Sequence, residues 1–358
     1  MFRAKNWKKY LIPLIAAGIS IFAIFLRFDQ LARHVLWSDE VDQLNMMHGS
    51  LADLLNKLPN GEANSYLNLD HFLVYPFFKI FSFDLWGLAI PHIIITILGL
   101  YLLYLIGKRY FKTVWGYIIT FGVFCFNSTL IEHATEIRPY AVLPTLALAV
   151  LYFSEILVNE VDLSPLKKFF IGAFFLLAAF FHTYGFFIIF FCLVYSLLSK
   201  PSTRSYSSIF KGISKILIVL LFIGLPFWLF SVFGPQHYRF KWDVYKYIPN
   251  PGKDMVGFFK FIFGNLVGFK GLYFLLVALV FPFIFPFKER LRQISFLAVM
   301  VFLPILAVYS CDLIGQCYFV QRQFIWVIPY FAIFLGWSCD SLVSYISGLK
   351  RDLRKDKR

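Results

Sequence analysis

Apolar runs of about 17 to 25 residues recur along the whole chain, each long enough as a helix to cross a hydrocarbon core of roughly 30 Å. Inside lipid a backbone has no water to bond to, so a chain patterned this way must satisfy its amides within helices. Composition agrees: 59% of the 358 residues are apolar, 15% are charged and 46 are Phe. A soluble domain sits nearer half apolar and a quarter charged. These features exclude nucleotide-binding α/β enzymes, disulfide scaffolds, β-barrels and nucleic-acid binders, despite a formal charge of +14. Membrane orientation accounts for that charge better than a polyanionic partner does.

The runs predict an all-α, polytopic helical membrane protein of about ten transmembrane helices. The spans fall near 10–26, 86–107, 113–130, 140–158, 168–181, 184–198, 213–233, 271–287, 294–310 and 321–342. With the N-terminus in the cytoplasm, the inner segments hold Arg3, Lys5, Lys8 and Lys9, then Lys108, Arg109 and Lys112, then Lys167 and Lys168. Lys200, Arg204, Lys211, Lys215, Lys288, Arg290, Arg292 and the basic tail from Lys350 follow. Basic residues near span ends mark the cytoplasmic side, which places both termini inside. The stretch 66–83 is expected to lie at the headgroup level as an interfacial or re-entrant helix, because Asp70, His71 and Lys79 interrupt its aromatics. The run 169–198 is split at His182-Thr-Tyr-Gly185 into two short spans with a tight outer turn. The first span has a basic leader, but Arg27-Phe-Asp-Gln30 follows in place of a small-residue cleavage site, so it is expected to be a retained anchor. The expectation is one integral membrane domain over 1–358, with long outer loops at about 27–85 and 234–270 and no soluble C-terminal domain. Cys125, Cys192 and Cys339 read as packing residues, whereas Cys311 and Cys317 share a short outer loop and could pair in an oxidising compartment.

Carboxylates gather on the outer side. Trp37-Ser38-Asp39-Glu40-Val41-Asp42 sets three acids directly after the anchor. Ser38 as a helix cap, with Asp39 and Glu40 in the first turn, is one reading; a general base or metal ligand at the membrane surface is the other. Asp39, Glu40 and Asp42 could together hold a divalent cation through oxygen ligands. In Glu132-His133-Ala-Thr-Glu136-Ile-Arg138-Pro139-Tyr140 the two glutamates are four apart and Arg138 could neutralise one of them. That string is either an ion-paired turn or a planar guanidinium presented to a phosphate or sugar. Asp70 and His71, His182 and Tyr184, and Gln321-Arg322-Gln323 face the same side. The loop His237-Tyr-Arg-Phe-Lys-Trp-Asp243 suits contact with membrane lipids through anionic headgroups.

With these strings in hand, the chain resembles the membrane-embedded GT-C glycosyltransferases, specifically the bacterial relatives of the protein O-mannosyltransferase and lipid A aminoarabinose transferase group. Leu36-Trp-Ser-Asp-Glu40 is similar to that family's Asp-Glu signature; Glu136-Ile-Arg-Pro-Tyr140, His182-Thr-Tyr-Gly185 and Arg322 followed by Pro329 complete the likeness over about residues 1 to 340. The resemblance implies transfer of a sugar from a polyprenyl-monophosphate-linked donor to a lipid, glycan or protein hydroxyl outside the cytoplasmic membrane. It implies Asp39 as the acid that activates or positions the acceptor and Glu40 as its signature neighbour. Where relatives commonly carry a His-Pro-Pro-Leu-like string after a loop helix, this chain reads Asp70-His71-Phe-Leu. Polyprenyl phosphate leaves without a proton, so one base plus cationic clamps is sufficient chemistry, with inversion in a single displacement. Arg138 and Arg322 are the expected clamps, with Glu136, Tyr140, His182 and Tyr184 lining the substrate site. The competing readings are a transporter or flippase, which needs ionisable groups deep in several spans, and a non-catalytic accessory membrane protein for lipid-linked glycans.

Overall fold

The computed structural model describes residues 7–57, 69–159, 163–199, 255–257, 287–315 and 321–355. Among them there are helices and no strands, and the molecule is an all-α, polytopic helical membrane protein. The predicted spans at 213–233 and 271–287 and nearly all of the 234–270 loop lie outside the described residues.

Helix α1 (Trp7–Leu31) is followed by three loop helices, α2 (Ser38–Met46), α3 (Leu51–Lys57) and α4 (Leu69–Phe81). Then come α5 (Leu85–Tyr110), α6 (Val114–Phe126), α7 (Ser128–His133), a 3-10 turn at Pro139–Ala141, and α8 (Leu143–Asn159). The set continues with α9 (Pro165–Phe181), α10 (Thr183–Leu198), α11 (Phe287–Leu297), a π-helical turn at Ala298–Phe302, and α12 (Leu303–Gly315). A 3-10 helix, Gln321–Val327, leads into α13 (Ile328–Lys355). Three described helical stretches are each long and apolar enough to cross a membrane: Tyr10–Leu31, Leu85–Tyr110 and Phe324–Gly348.

Three boundaries differ from the sequence expectation. The span expected over 113–130 stops at Phe126, because Asn127 leaves helical geometry and its Oδ1 accepts the Leu130 N–H at 3.0 Å, capping a new helix. The span expected from residue 140 begins as 3-10 backbone at Pro139, and regular α-helix starts at Leu143. Cys311 belongs to α12 instead of a loop, and Cys317 lies outside the described residues, as does the pairing of the two. The split at His182 is present. Its backbone is extended and its Nδ1 accepts the Tyr184 N–H at 3.1 Å. Gly185 permits the tight reversal, since a Cβ there would stand 1.9 Å from the Ala178 carbonyl oxygen.

Helices α6 and α13 pack closely against each other. A Cβ at Gly336 would fall 1.8 Å from Thr120 Oγ1, so glycine lets the two backbones approach. Where lipid is as apolar as the side chains, such close packing holds helices together better than apolar burial does. The shared core runs through fully buried Trp326, Tyr330, Phe331, Phe121 and Phe175. Helix α4 packs on α5 and, with α2, closes a smaller apolar cluster of Leu44, Met47, Val74, Phe78, Leu88 and Ile137. That cluster fixes the first loop over one end of the bundle, where the candidate site lies.

Candidate active site

Helix α2 starts at Ser38, with Trp37 and not Ser38 in the N-cap position. Glu40, in the first turn, reaches back and its Oε2 accepts the Trp37 N–H at 3.2 Å. The remaining Glu40 contacts are long-range. His34 Nε2 sits 2.9 and 3.0 Å from the two carboxylate oxygens, and Oε1 accepts the Ile137 N–H at 2.7 Å. Glu40 is fully buried. It therefore fastens the end of α1 and the start of α2 to the segment before α8, and its oxygens are occupied by protein donors.

Asp39, one residue earlier, points elsewhere. Its side chain is 35% exposed, and its Oδ2 lies 3.5 Å from the Arg138 guanidinium. Arg138 also donates to the Asp39 backbone carbonyl at 3.4 Å. The guanidinium stands 5.8 Å from the centre of the Tyr140 ring, and Tyr140 in turn is 5.6 Å from the His182 ring. His182 stacks on Tyr184 at 5.0 Å, and Tyr184 lies 6.2 Å from Trp326 in the 3-10 helix that opens with Gln321. A continuous row of rings thus runs from Arg138 to the base of α13.

Burial, helped by the nearby Arg138 charge, pushes the His182 imidazole down to about 3. His182 is accordingly a neutral ring in the site and not a cationic clamp. Asp70 opens α4 fully buried. Its Oδ2 accepts from Gln43 Nε2 at 2.8 Å and its Oδ1 lies 2.9 Å from His92 Nε2 on α5. Burial works against its ionisation, but His92 and Gln43 outweigh that and hold the carboxyl below its usual range. His71 beside it is also buried, so the polar start of α4 faces protein, where the sequence reading had placed it among headgroups.

The expected pairing of Arg138 with a glutamate of the 132–136 string does not occur. Arg138 takes Asp39, Glu132 is exposed, and buried Glu136 places Oε1 2.6 Å from His133 Nδ1. Arg322 lies in the second position of the 3-10 helix Gln321–Val327, and its side chain lies outside the described residues. Asp39, Arg138, Tyr140, His182 and Tyr184 form one row, while Glu40, Asp70, His71 and Glu136 form its buried support.

Four residues that the sequence reading did not assign to the site belong to this support. His34, Gln43 and His92 each partner a carboxylate. Hydrogen bonding to Glu40, against burial, raises the His34 pKa. The fourth is Arg27, a buried guanidinium at the end of α1 that donates to the carbonyls of Ala23 at 2.9 Å and Cys125 at 3.4 Å. With Thr96, Thr145 and Tyr140 it lines a narrow recess behind the row. A lone His in the apolar run of α5 and an Arg at the end of an apolar span were the available signals. An ionisable group placed there needs a protein partner or a function.

Asp39, Glu40 and Asp42 do not assemble a cation site. Glu40 is turned inward onto donors, Asp39 faces Arg138 and Asp42 is exposed. No group of three metal-ligating side chains gathers among the described residues.

Residues 70–230 match the family model described as dolichyl-phosphate-mannose-protein mannosyltransferase, a stretch short of half the chain. The matched segment begins at Asp70 and takes in Glu136, Arg138, Tyr140, His182 and Tyr184, leaving Asp39 and Glu40 upstream. No curated protein matches the sequence. Two crystal structures of ArnT from Cupriavidus metallidurans are similar at a TM-score of 0.49 each, one apo and one bound to undecaprenyl phosphate. They are 14% and 13% identical over 90% and 97% of this chain. The chain spans 59% and 63% of their lengths.

Proposed function

We propose that this glycosyltransferase moves a sugar from a polyprenyl-phosphate-linked donor to a hydroxyl of a lipid, glycan or protein, with inversion, at the outer face of the cytoplasmic membrane. Both termini would then lie inside. One observation carries the reading: Asp39 is partly exposed and meets Arg138, a guanidinium brought from 99 residues away, whereas its neighbours Glu40 and Asp70 are buried against hydrogen-bond donors. A general base must be reachable by the acceptor, and a structural carboxylate need not be.

In the proposed step the acceptor oxygen attacks the anomeric carbon while Asp39 takes the hydroxyl proton. The bond from that carbon to the phosphate oxygen breaks, and its electron pair leaves with the polyprenyl phosphate. Arg138 bonds both the carboxylate and the backbone carbonyl of Asp39, so its first role is to orient the base. Its planar fork retains donors for a phosphate or sugar oxygen. Neutral His182, held by Tyr140 and Tyr184, offers a ring face and one polar edge to the sugar. Arg322 would add charge against the departing phosphate. Undecaprenyl phosphate, the ligand named for one of the similar ArnT structures, is the leading carrier to try.

The test is sugar transfer by the purified chain in lipid, with a panel of radiolabelled polyprenyl-phosphate sugars and membrane extract as acceptor. At least one donor should yield labelled product with the anomeric configuration inverted. Donors that bind without any transfer would contradict the reading and favour a transport or accessory role.

A further inference from the structure

The end of the bundle opposite Asp39 carries a second cluster of charged and aromatic groups that the transfer reaction does not use. Buried Glu155 of α8 accepts the Tyr110 hydroxyl at the end of α5, and Tyr110 lies 3.3 Å from the Tyr195 hydroxyl of α10. Phe296 of α11 packs edge-on against Tyr195 at 4.8 Å, and Trp337 of α13 packs against Tyr110 at 5.0 Å. Five helices therefore close an aromatic cup at this end.

Cations stand on the rim of that cup, each laid over a ring. The Arg292 guanidinium is 5.2 Å from the Trp337 ring centre and 5.6 Å from that of Tyr110. The Arg109 guanidinium is 4.9 Å from Tyr152 and 3.8 Å from Glu155 Oε2. Lys108 Nζ is 4.5 Å from Tyr104. Ring contact of this kind pins long side chains, which removes much of the ordering entropy that a ligand would otherwise have to overcome.

Among the described side chains, the acids here are withdrawn from the surface. Glu155 is held inside, and Asp340 accepts the Lys112 N–H at 2.8 Å and the Thr113 N–H and hydroxyl at 2.6 Å each. Among the described side chains, the exposed charges at this end are all positive. Helix α11 is amphipathic: Gln293, Phe296 and Leu297 are buried, and Leu291 and Arg292 are exposed. Exposed Leu291 directly precedes Arg292, and exposed Phe169 and Phe170 follow Lys167 and Lys168, so apolar side chains stand beside cations in the chain.

We propose that Arg109 and Arg292, with Lys108 at the rim, seat the phosphate of an anionic phospholipid headgroup at the end of the bundle opposite the active site. Cations fixed over aromatic rings beside exposed apolar side chains match a ligand with an anionic head and an acyl tail. The site is independent of the transfer chemistry.

The test is lipid retention by the purified full chain in native mass spectrometry, titrating phosphatidylglycerol against phosphatidylcholine with the same acyl chains. At about fivefold per juxtamembrane cation, two arginines predict about 25-fold tighter retention of phosphatidylglycerol. R109Q/R292Q should bring the two lipids to near equality, and R33Q, an exposed control at the other end, should change nothing. The single variants R109Q and R292Q, each about fivefold weaker, decide the matter if the double variant does not fold. Equal retention of both lipids by the wild type would overturn the proposal, as would an equal loss in R33Q. Displacement of the lipid by glycerol 3-phosphate at matched concentration would overturn the lipid assignment and leave a site for a free phosphate ester.

Discussion

The two ends of the helix bundle treat buried carboxylates differently. At the Asp39 end, Glu40, Asp70 and Glu136 are each set against an imidazole, from His34, His92 and His133 respectively. At the other end, Glu155 and Asp340 are satisfied by phenol, hydroxyl and backbone donors. Phenol and backbone donors keep their charge through the ordinary pH range, so the second end is held by fixed contacts, while at the first end hydrogen bonding to Glu40 raises the His34 pKa. The contrast extends to what is left exposed: a carboxylate, Asp39, over the first support, and arginines over the second. An exposed base suits an acceptor hydroxyl, whereas exposed cations over a closed cup suit a bound anion.

The sharpest attempt to break this comparison is Glu40→Ala. Removing it strands the Ile137 N–H and the His34 imidazole, and a cost of about 3 to 5 kcal/mol is expected from uncompensated buried groups. Chemical or thermal unfolding would measure it; a cost below about 1 kcal/mol would show that Glu40 is not the fastener described. His92→Ala comes next, at about 2 to 3 kcal/mol, because Asp70 keeps Gln43 but loses its imidazole partner. At the fixed end, Tyr110→Phe should cost only about 1 kcal/mol, since Arg109 and the rest of the cup still surround Glu155.

The smallest effect is the most diagnostic. The His34 pKa is raised in the folded chain, so its stabilising share is fully present below 6.5 and is lost as pH rises through the folded value. The stability gap between wild type and His34→Gln should therefore be larger at about pH 5.5 than at about pH 8.5. A gap independent of pH would place His34 with the fixed contacts and dissolve the distinction between the ends.

Much of this arrangement was legible in the residues because it depends on local chemistry. Apolar run length marks spans, a polar His-Thr-Tyr-Gly string marks the turn at His182, and Pro139 marks a helix start. The resemblance of Leu36-Trp-Ser-Asp-Glu40 and Glu136-Ile-Arg-Pro-Tyr140 to one enzyme group brought Asp39 and Arg138 into the same expectation, and the two side chains do meet. The pairings were not legible. Glu40 to Ile137, Asp70 to His92 and Arg138 to Asp39 join residues 97, 22 and 99 positions apart, and no local spacing encodes them. Asp39 and Glu40 show the limit plainly: adjacent acids on one short helix project about 100° apart, so one turns to solvent and its neighbour into protein. The break at Asn127 was missed because its cap is a single hydrogen bond inside an otherwise continuous apolar run.

The central claim is that Asp39 is the working base and Glu40 its structural neighbour. The direct measurement is single-turnover transfer from a radiolabelled undecaprenyl-phosphate sugar by wild type, Asp39→Asn and Glu40→Gln in the same lipid, with unfolding curves for each. The account predicts that Asp39→Asn keeps wild-type stability and donor binding but loses about 10²- to 10⁴-fold in rate, the range of a general base. Glu40→Gln should instead lose stability and keep most of its rate at temperatures where it stays folded. Undiminished transfer by folded Asp39→Asn would contradict the account.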